Sequence, residues 1–138
     1  MIRKIVQTAC LLFCLAAAGC ASTRHGGMRE EFEQSAKGYN KMLRWHEIEA
    51  AGMAYLRSDL RDAFLKASAE FKRRGVTITD YRILTTECFP EKKSGDVLAE
   101  FEYYILPSNR IKTQAFRQTW EYQDESGWRQ TSPLPPFE

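Results

Sequence analysis

Apolar positions along this chain change their spacing twice. From Ile5 to Leu15 they form a nearly unbroken run, from Met28 to Phe71 they recur every three or four residues, and from Val76 onward they alternate. The middle region predicts helices, because a 3.6-residue turn gathers such positions on one side. Phe32, Ala36, Tyr39 and Leu43 make one stripe, with Glu30, Glu31 and Glu33 near the positive end of the helix dipole. Gly38 weakens this helix without forbidding it. Ile48, Ala51 and Tyr55 predict a short second helix. In the third, Ser58 or Asp59 serves as cap and Leu60, Phe64, Ala67 and Phe71 form the apolar face, before Lys72, Arg73, Arg74 and the stop at Gly75.

The alternating region predicts strands. Val76 to Phe89 is rich in Thr, Ile, Val and Tyr and ends at Pro90; "EKKSGD" turns into a second strand, Val97 to Leu106. "PSNR" turns again into Ile111 to Gln123, and "DESG" leads to a fourth strand opening at Trp128. Short turns between consecutive strands make an antiparallel meander. The fold class is therefore α+β, three N-terminal helices packed on a four-stranded antiparallel meander sheet with a cone-like curvature. Val97, Ala99, Phe101, Tyr103 and Ile105 share the face that the helices cover, while Phe116, Gln118, Trp120 and Tyr122 line an aromatic and amide surface on the third strand. The closing "PLPPF" cannot continue a ladder, because proline lacks the amide donor.

The first apolar run has a different meaning. Arg3 and Lys4 precede it and Ala16, Ala17, Ala18 and Gly19 close it, the three parts of a secretory signal. It is too short for a span, which needs about 20 predominantly apolar residues. The small residues end on Cys20, and "AAGC" resembles the lipobox of bacterial lipoproteins, in which the cysteine receives a diacylglyceryl group and becomes the first mature residue. Cys14 follows the bulky Phe13, and Cys10 precedes an apolar body of adequate length, so neither fits. The resemblance implies a signal peptide over 1–19, a lipidated Cys20 with palmitate-type acylation and a flexible tether over 20–27, and one α+β domain over 28–138. Ala21 rather than Asp after the cysteine implies sorting to the outer membrane, facing the periplasm.

Location also changes the reading of charge. The 138 residues carry 20 basic and 18 acidic side chains, but Arg3 and Lys4 lie in the signal, which leaves a neutral domain. No net field draws it to nucleic acid. With Cys10 and Cys14 discarded and Cys20 acylated, Cys88 is the one remaining thiol, expected to be buried and inert. No Cys and His spacing suggests a metal site, and no cofactor motif is present.

The helical "YNKMLRWHEIEAAGMAYL" segment and the final hairpin "QTWEYQDESGWRQTS" resemble the nuclear-transport-factor-2-like superfamily, an α+β build also compared with cystatin-like domains, over about Glu30 to Pro133. The whole chain is similar to small proteobacterial lipoproteins. One departure is that family members place a strand or hairpin between the second and third helices, where only Met53 to Leu56 is available. Enzymes of that superfamily use an Asp with an Arg or His partner, which implies His46 and Asp80 as weak candidates; no motif matches residue by residue, and no catalytic residue is assigned. His46 reads as lying at a helix start. Glu100 and Glu102 read as a solvated pair with Lys112 or Arg117 across the strand. The leading expectation is a lipid-anchored periplasmic binding or interaction module, meeting an envelope protein or a small apolar ligand through Trp45, Tyr103, Phe116 and Trp120. The alternatives are a cyclase-like or hydrolase-like enzyme and a structural accessory subunit of an envelope complex.

The anchor has a direct test. In a Gram-negative host fed a labelled fatty acid, the chain is expected to carry label and Cys20→Ser to lose it; label retained by that variant places the attachment elsewhere.

Overall fold

The stripe from Phe32 to Leu43 is wholly buried in a computed structural model that describes residues 24–138. The expected signal peptide and Cys20 lie outside the described residues. Helix α1 spans residues 24–44, α2 spans Ile48–Tyr55 and α3 spans Arg61–Arg73. Strands β1 (Val76–Phe89), β2 (Ser94–Ile105), β3 (Lys112–Gln123) and β4 (Gly127–Gln130) pair antiparallel in the order β1-β2-β3-β4, the expected meander. Four residues assigned to the tether, 24–27, are instead helical and belong to α1, and Met28, which follows them, is buried.

The helices cover the face predicted from alternation. Val97, Ala99, Phe101 and Tyr103 are buried, whereas Glu102 on the opposite face is exposed. β2 begins three residues earlier than Val97, because Gly95 belongs to the strand rather than to the turn. A Cβ there would lie 2.5 Å from Phe32 Cζ, so α1 rests its phenyl ring directly on the β2 backbone. Two register irregularities, at Ile78/Asp80 and Ile83/Thr85, add local twist to β1.

An amide pair fixes α1 against β3. Asn40 Nδ2 donates to Gln118 Oε1 at 3.0 Å, Gln118 Nε2 donates to Asn40 Oδ1 at 2.7 Å, and Asn40 Nδ2 also reaches the Ala36 carbonyl at 2.9 Å. Both side chains are buried, so each satisfies the other where water does not. The region between α2 and α3 holds a single parallel bridge, Leu56 with Gln130, and no hairpin. Neither Ser58 nor Asp59 caps α3: a 3-10 turn, Ser58–Leu60, leads into it. Arg57 engages the Asp59 carboxylate through two nitrogens, at 2.7 and 3.0 Å, and that competes with a capping role. Gly75 ends α3 as expected, with φ at +69°.

Removing one amide strands the other in an apolar interface. Asn40→Ala or Gln118→Ala is expected to cost roughly 1–3 kcal/mol, and the double change less than the sum of the singles. Urea unfolding of the four proteins checks this; strictly additive losses would show that the amides do not act as a pair.

Candidate functional site

After β4 the chain turns back into the molecule. Pro133, Pro135 and Pro136 keep it from extending the sheet, and the segment enters between α3 and the helix-covered sheet face, burying Leu134, Pro135 and Phe137. Phe137 has no exposed surface, and its ring sits 5.5 Å from Phe71, 5.6 Å from Phe101, 5.0 Å from Tyr103 and 5.3 Å from Phe116, centroid to centroid. These tilted and edge-on contacts suit the aromatic quadrupoles. Burial of one such side chain contributes about 1.5–3 kcal/mol.

Polar groups hold the backbone of the same segment. Arg74 Nη1 donates to the Pro136 carbonyl at 2.7 Å and Nη2 to the Phe137 carbonyl at 2.5 Å. The Tyr103 hydroxyl lies 2.7 Å from the Glu138 carbonyl and 3.0 Å from the Gln114 side-chain amide. Both partners, the Glu138 main-chain oxygen and Gln114 Oε1, are acceptors, so the single hydroxyl proton is shared between them, with the shorter contact to Glu138. Burial pushes the Tyr103 hydroxyl up, against the nearby Arg74 charge, which keeps it a donor at neutral pH. Two half-open slots flank the segment. One of about 130 Å³ lies among Leu56, Leu60, Phe64 and Leu134, and one of about 260 Å³ among Phe71, Arg74, Pro135 and Pro136.

The residues singled out from sequence separate into three places. Tyr103 and Phe116 belong to this aromatic cage. Trp120 does not: it packs 6.0 Å from Phe32, 5.8 Å from Tyr39 and 6.3 Å from Tyr55, in the core beneath α1. Trp45 stands apart on the turn after α1, 63% exposed, with the Arg44 guanidinium over its ring at 5.1 Å. The cage also needs Phe71, Phe101, Arg74 and Phe137, which in the sequence have the pattern of a helix stripe, a strand face, a dipole partner and a ladder terminator. The available signal was the "PLPPF" tail, an apolar segment too proline-rich to pair as a strand.

The two acid–base candidates are not joined. His46 lies at the C-terminal end of α1, not at a helix start. Its amide donates to the Leu43 carbonyl, the Glu47 amide donates to the Met42 carbonyl, and His46 itself is left-handed at φ +62°. This is a Schellman closure with histidine where glycine is usual, which is why no stop signal was legible. Its Nε2 donates to the Ile78 carbonyl at 3.3 Å. Asp80 is exposed on β1 and accepts from the Tyr81 amide at 2.8 Å. Neither makes a hydrogen bond to another titratable side chain among the described residues. Glu100 pairs with Arg82 on β1 at 2.6 Å, not with Lys112 or Arg117, because its register partner on β3 is Ala115. Cys88 is half-buried rather than buried, and desolvation pushes its thiol up, which lowers its reactivity. Among the described residues no group of three or more His, Cys, Asp or Glu is placed to hold a metal ion, and no helix is long and apolar enough to cross a membrane.

No protein-family model matches the chain, and no curated protein matches it in sequence. Among solved structures it is similar to the intermembrane space region of the chloroplast protein ARC6. The identity is 15% and the TM-score 0.48, over 71% of this chain and 92% of that one.

The core beneath α1 carries its own pH signature. The Tyr39 hydroxyl is fully buried without a hydrogen-bond partner among the described residues, and desolvation raises its pKa well above the usual tyrosine value. Above roughly pH 10 the unfolded chain releases this proton while the native state keeps it, so stability falls as pH rises. Tyr39→Phe is expected to match or exceed the parent at pH 8 and to lose less stability between pH 8 and 11. Urea midpoints at the two pH values measure this, and an equal loss in both proteins would refute it.

Proposed function

We propose that this chain is a lipid-anchored binding module of the bacterial cell envelope, whose site is the aromatic cage and groove between α3 and the sheet. The observation that carries the reading is the insertion of Phe137 into that cage, with Arg74 and Tyr103 hydrogen-bonded to the backbone beside it. An apolar recess with a few convergent polar groups is the usual form of a binding site. The reading includes acylation at Cys20, a location on the outer membrane facing the periplasm, and a domain of the nuclear-transport-factor-2-like type in a proteobacterial lipoprotein.

The placement of the tether supports it. Residue 24 of α1 lies beside the β3–β4 turn, where the Lys93 ammonium and, more weakly, Arg24 hold the Asp124 carboxyl below its usual range. The cage lies toward the other end of β2: Tyr103 is nine residues beyond Ser94, about 30 Å at the rise of an extended strand. An acyl chain attached on the N-terminal side of α1 is compatible with a groove that faces away from the membrane surface.

Photocrosslinking in intact cells tests the reading. A photoreactive residue at Glu70, on the rim of the larger slot, is expected to give a discrete adduct, while one at Arg117, on the opposite sheet face, is not. No adduct from position 70, or the same adducts from both positions, would refute it.

A further inference from the structure

Residues 133–138 occupy the groove as a ligand would. Their contacts divide into one side-chain pocket and a set of main-chain hydrogen bonds. The pocket takes the Phe137 ring, and the carbonyls of Pro136, Phe137 and Glu138 accept from Arg74 and Tyr103. Main-chain carbonyls read by side chains, with one aromatic anchor in a dry pocket, are how an extended peptide is recognised. Three prolines in six residues limit the freedom lost when such a segment binds, since each fixes φ.

The fit in cis is imperfect in two ways. Phe137 is held at φ +44°, in the left-handed region that a bulky residue avoids, and this conformation persists because the cage and Arg74 over-determine it. The segment also leaves slots of about 130 and 260 Å³ along α3, each lined by its own residues Leu134 or Pro135 on one side and by the helix on the other. A free peptide of the same chemistry, not constrained by the connection to β4, can enter without the backbone strain and fill more of the groove.

We propose that the groove between α3 and the sheet recognises an extended, proline-flanked peptide bearing an aromatic side chain, and that residues 133–138 are its internal competitor. The inference rests on the binding reading above and names the chemistry of the partner: Pro-Pro-aromatic, with the ring in the Phe71, Phe101, Tyr103 and Phe116 cage, the carbonyls of the aromatic residue and of the proline before it on Arg74, and the main-chain oxygen of the next residue on Tyr103. The strap acts as a threshold. A partner must displace Phe137, so apparent affinity is reduced by the fraction of molecules with the strap closed.

The test uses a fluorescent peptide with the sequence Ser-Pro-Leu-Pro-Pro-Phe-Glu, matching residues 132–138, and reads anisotropy. Phe137→Ala, which empties the cage, is expected to bind it at least tenfold more tightly than the parent. Adding Arg74→Ala is expected to weaken that binding at least tenfold, and a peptide with Ala in place of Phe is expected not to bind. Failure of a cooperatively melting Phe137→Ala protein to bind the peptide overturns the inference, as does binding of an anilinonaphthalene dye without the peptide, which would assign the groove to small apolar ligands. Should Phe137→Ala not fold, hydrogen exchange of the parent decides. Amides of Leu134, Phe137 and Glu138 exchanging at least a hundredfold faster than those of Phe101 and Tyr103 support a strap that opens on its own, and equal rates overturn it. No peptide binding together with an adduct from position 70 rejects the peptide chemistry and leaves the binding reading in place.

Discussion

Helix α1 can lie on this sheet in only one way, because two buried amides must meet. Asn40 and Gln118 exchange hydrogen bonds in an interface otherwise built of Phe32, Tyr39, Leu43, Val97 and Trp120. Apolar packing alone would tolerate a helix shifted by a turn, since one hydrophobic surface serves nearly as well as another. A shift here would leave two amides without partners, a penalty larger than most packing gains. The same setting brings the Phe32 ring onto the bare backbone at Gly95 and the Trp128 indole NH onto the Met28 carbonyl at 2.9 Å. The rest of the helical layer is referred to α1.

Once α1 covers the sheet from the β3–β4 turn to the Ile78 carbonyl, where Arg44 and His46 both donate, the far end of the inner face is left to α3. That helix does not close directly on the strands. Phe137 fills the space between Phe71 on the helix and Phe101, Tyr103 and Phe116 on the sheet. The aromatic residues thus form two clusters with different roles. One, around Trp120, Tyr39 and Phe32, belongs to the packing of α1; the other surrounds a segment of chain that has no place in any ladder. The ion pairs lie at exposed or partly exposed positions, as with Arg57 to Asp59 and Glu121, and such pairs contribute little to stability.

Much of this was legible because it depends on local periodicity. The stripe of α1, the bounds of β1, the meander order and the inner face of β2 follow from spacings of 3.6 and 2, and a buried face must keep its period to stay buried. The failures occur where a distant residue decides. Gly95 reads as a turn residue until Phe32 is placed on it. Gly38 reads as a weak point in a helix, yet a Cβ there would meet the Tyr55 hydroxyl, so the glycine admits α2. Ser58 and Asp59 read as caps until Arg57 engages the carboxylate, and His46 ends a helix without the glycine that usually marks such an end.

The candidate site shows the same division. Tyr103 and Phe116 could be chosen from sequence because aromatic residues on a sheet face are conspicuous, but the same criterion chose Trp120, which is core, and aromatic character alone chose Trp45, which stands in solvent. Residue type and alternation, both local properties, are enough to determine an α+β meander with helices over one face. Which aromatic residues surround a cavity, and that the closing prolines return a phenyl ring to fill it, was decided only in three dimensions. Side chains more than 60 positions apart, such as Arg74 and the carbonyls of Pro136 and Phe137, meet only after the sheet and helices have set their distance. No short-range pattern encodes that distance.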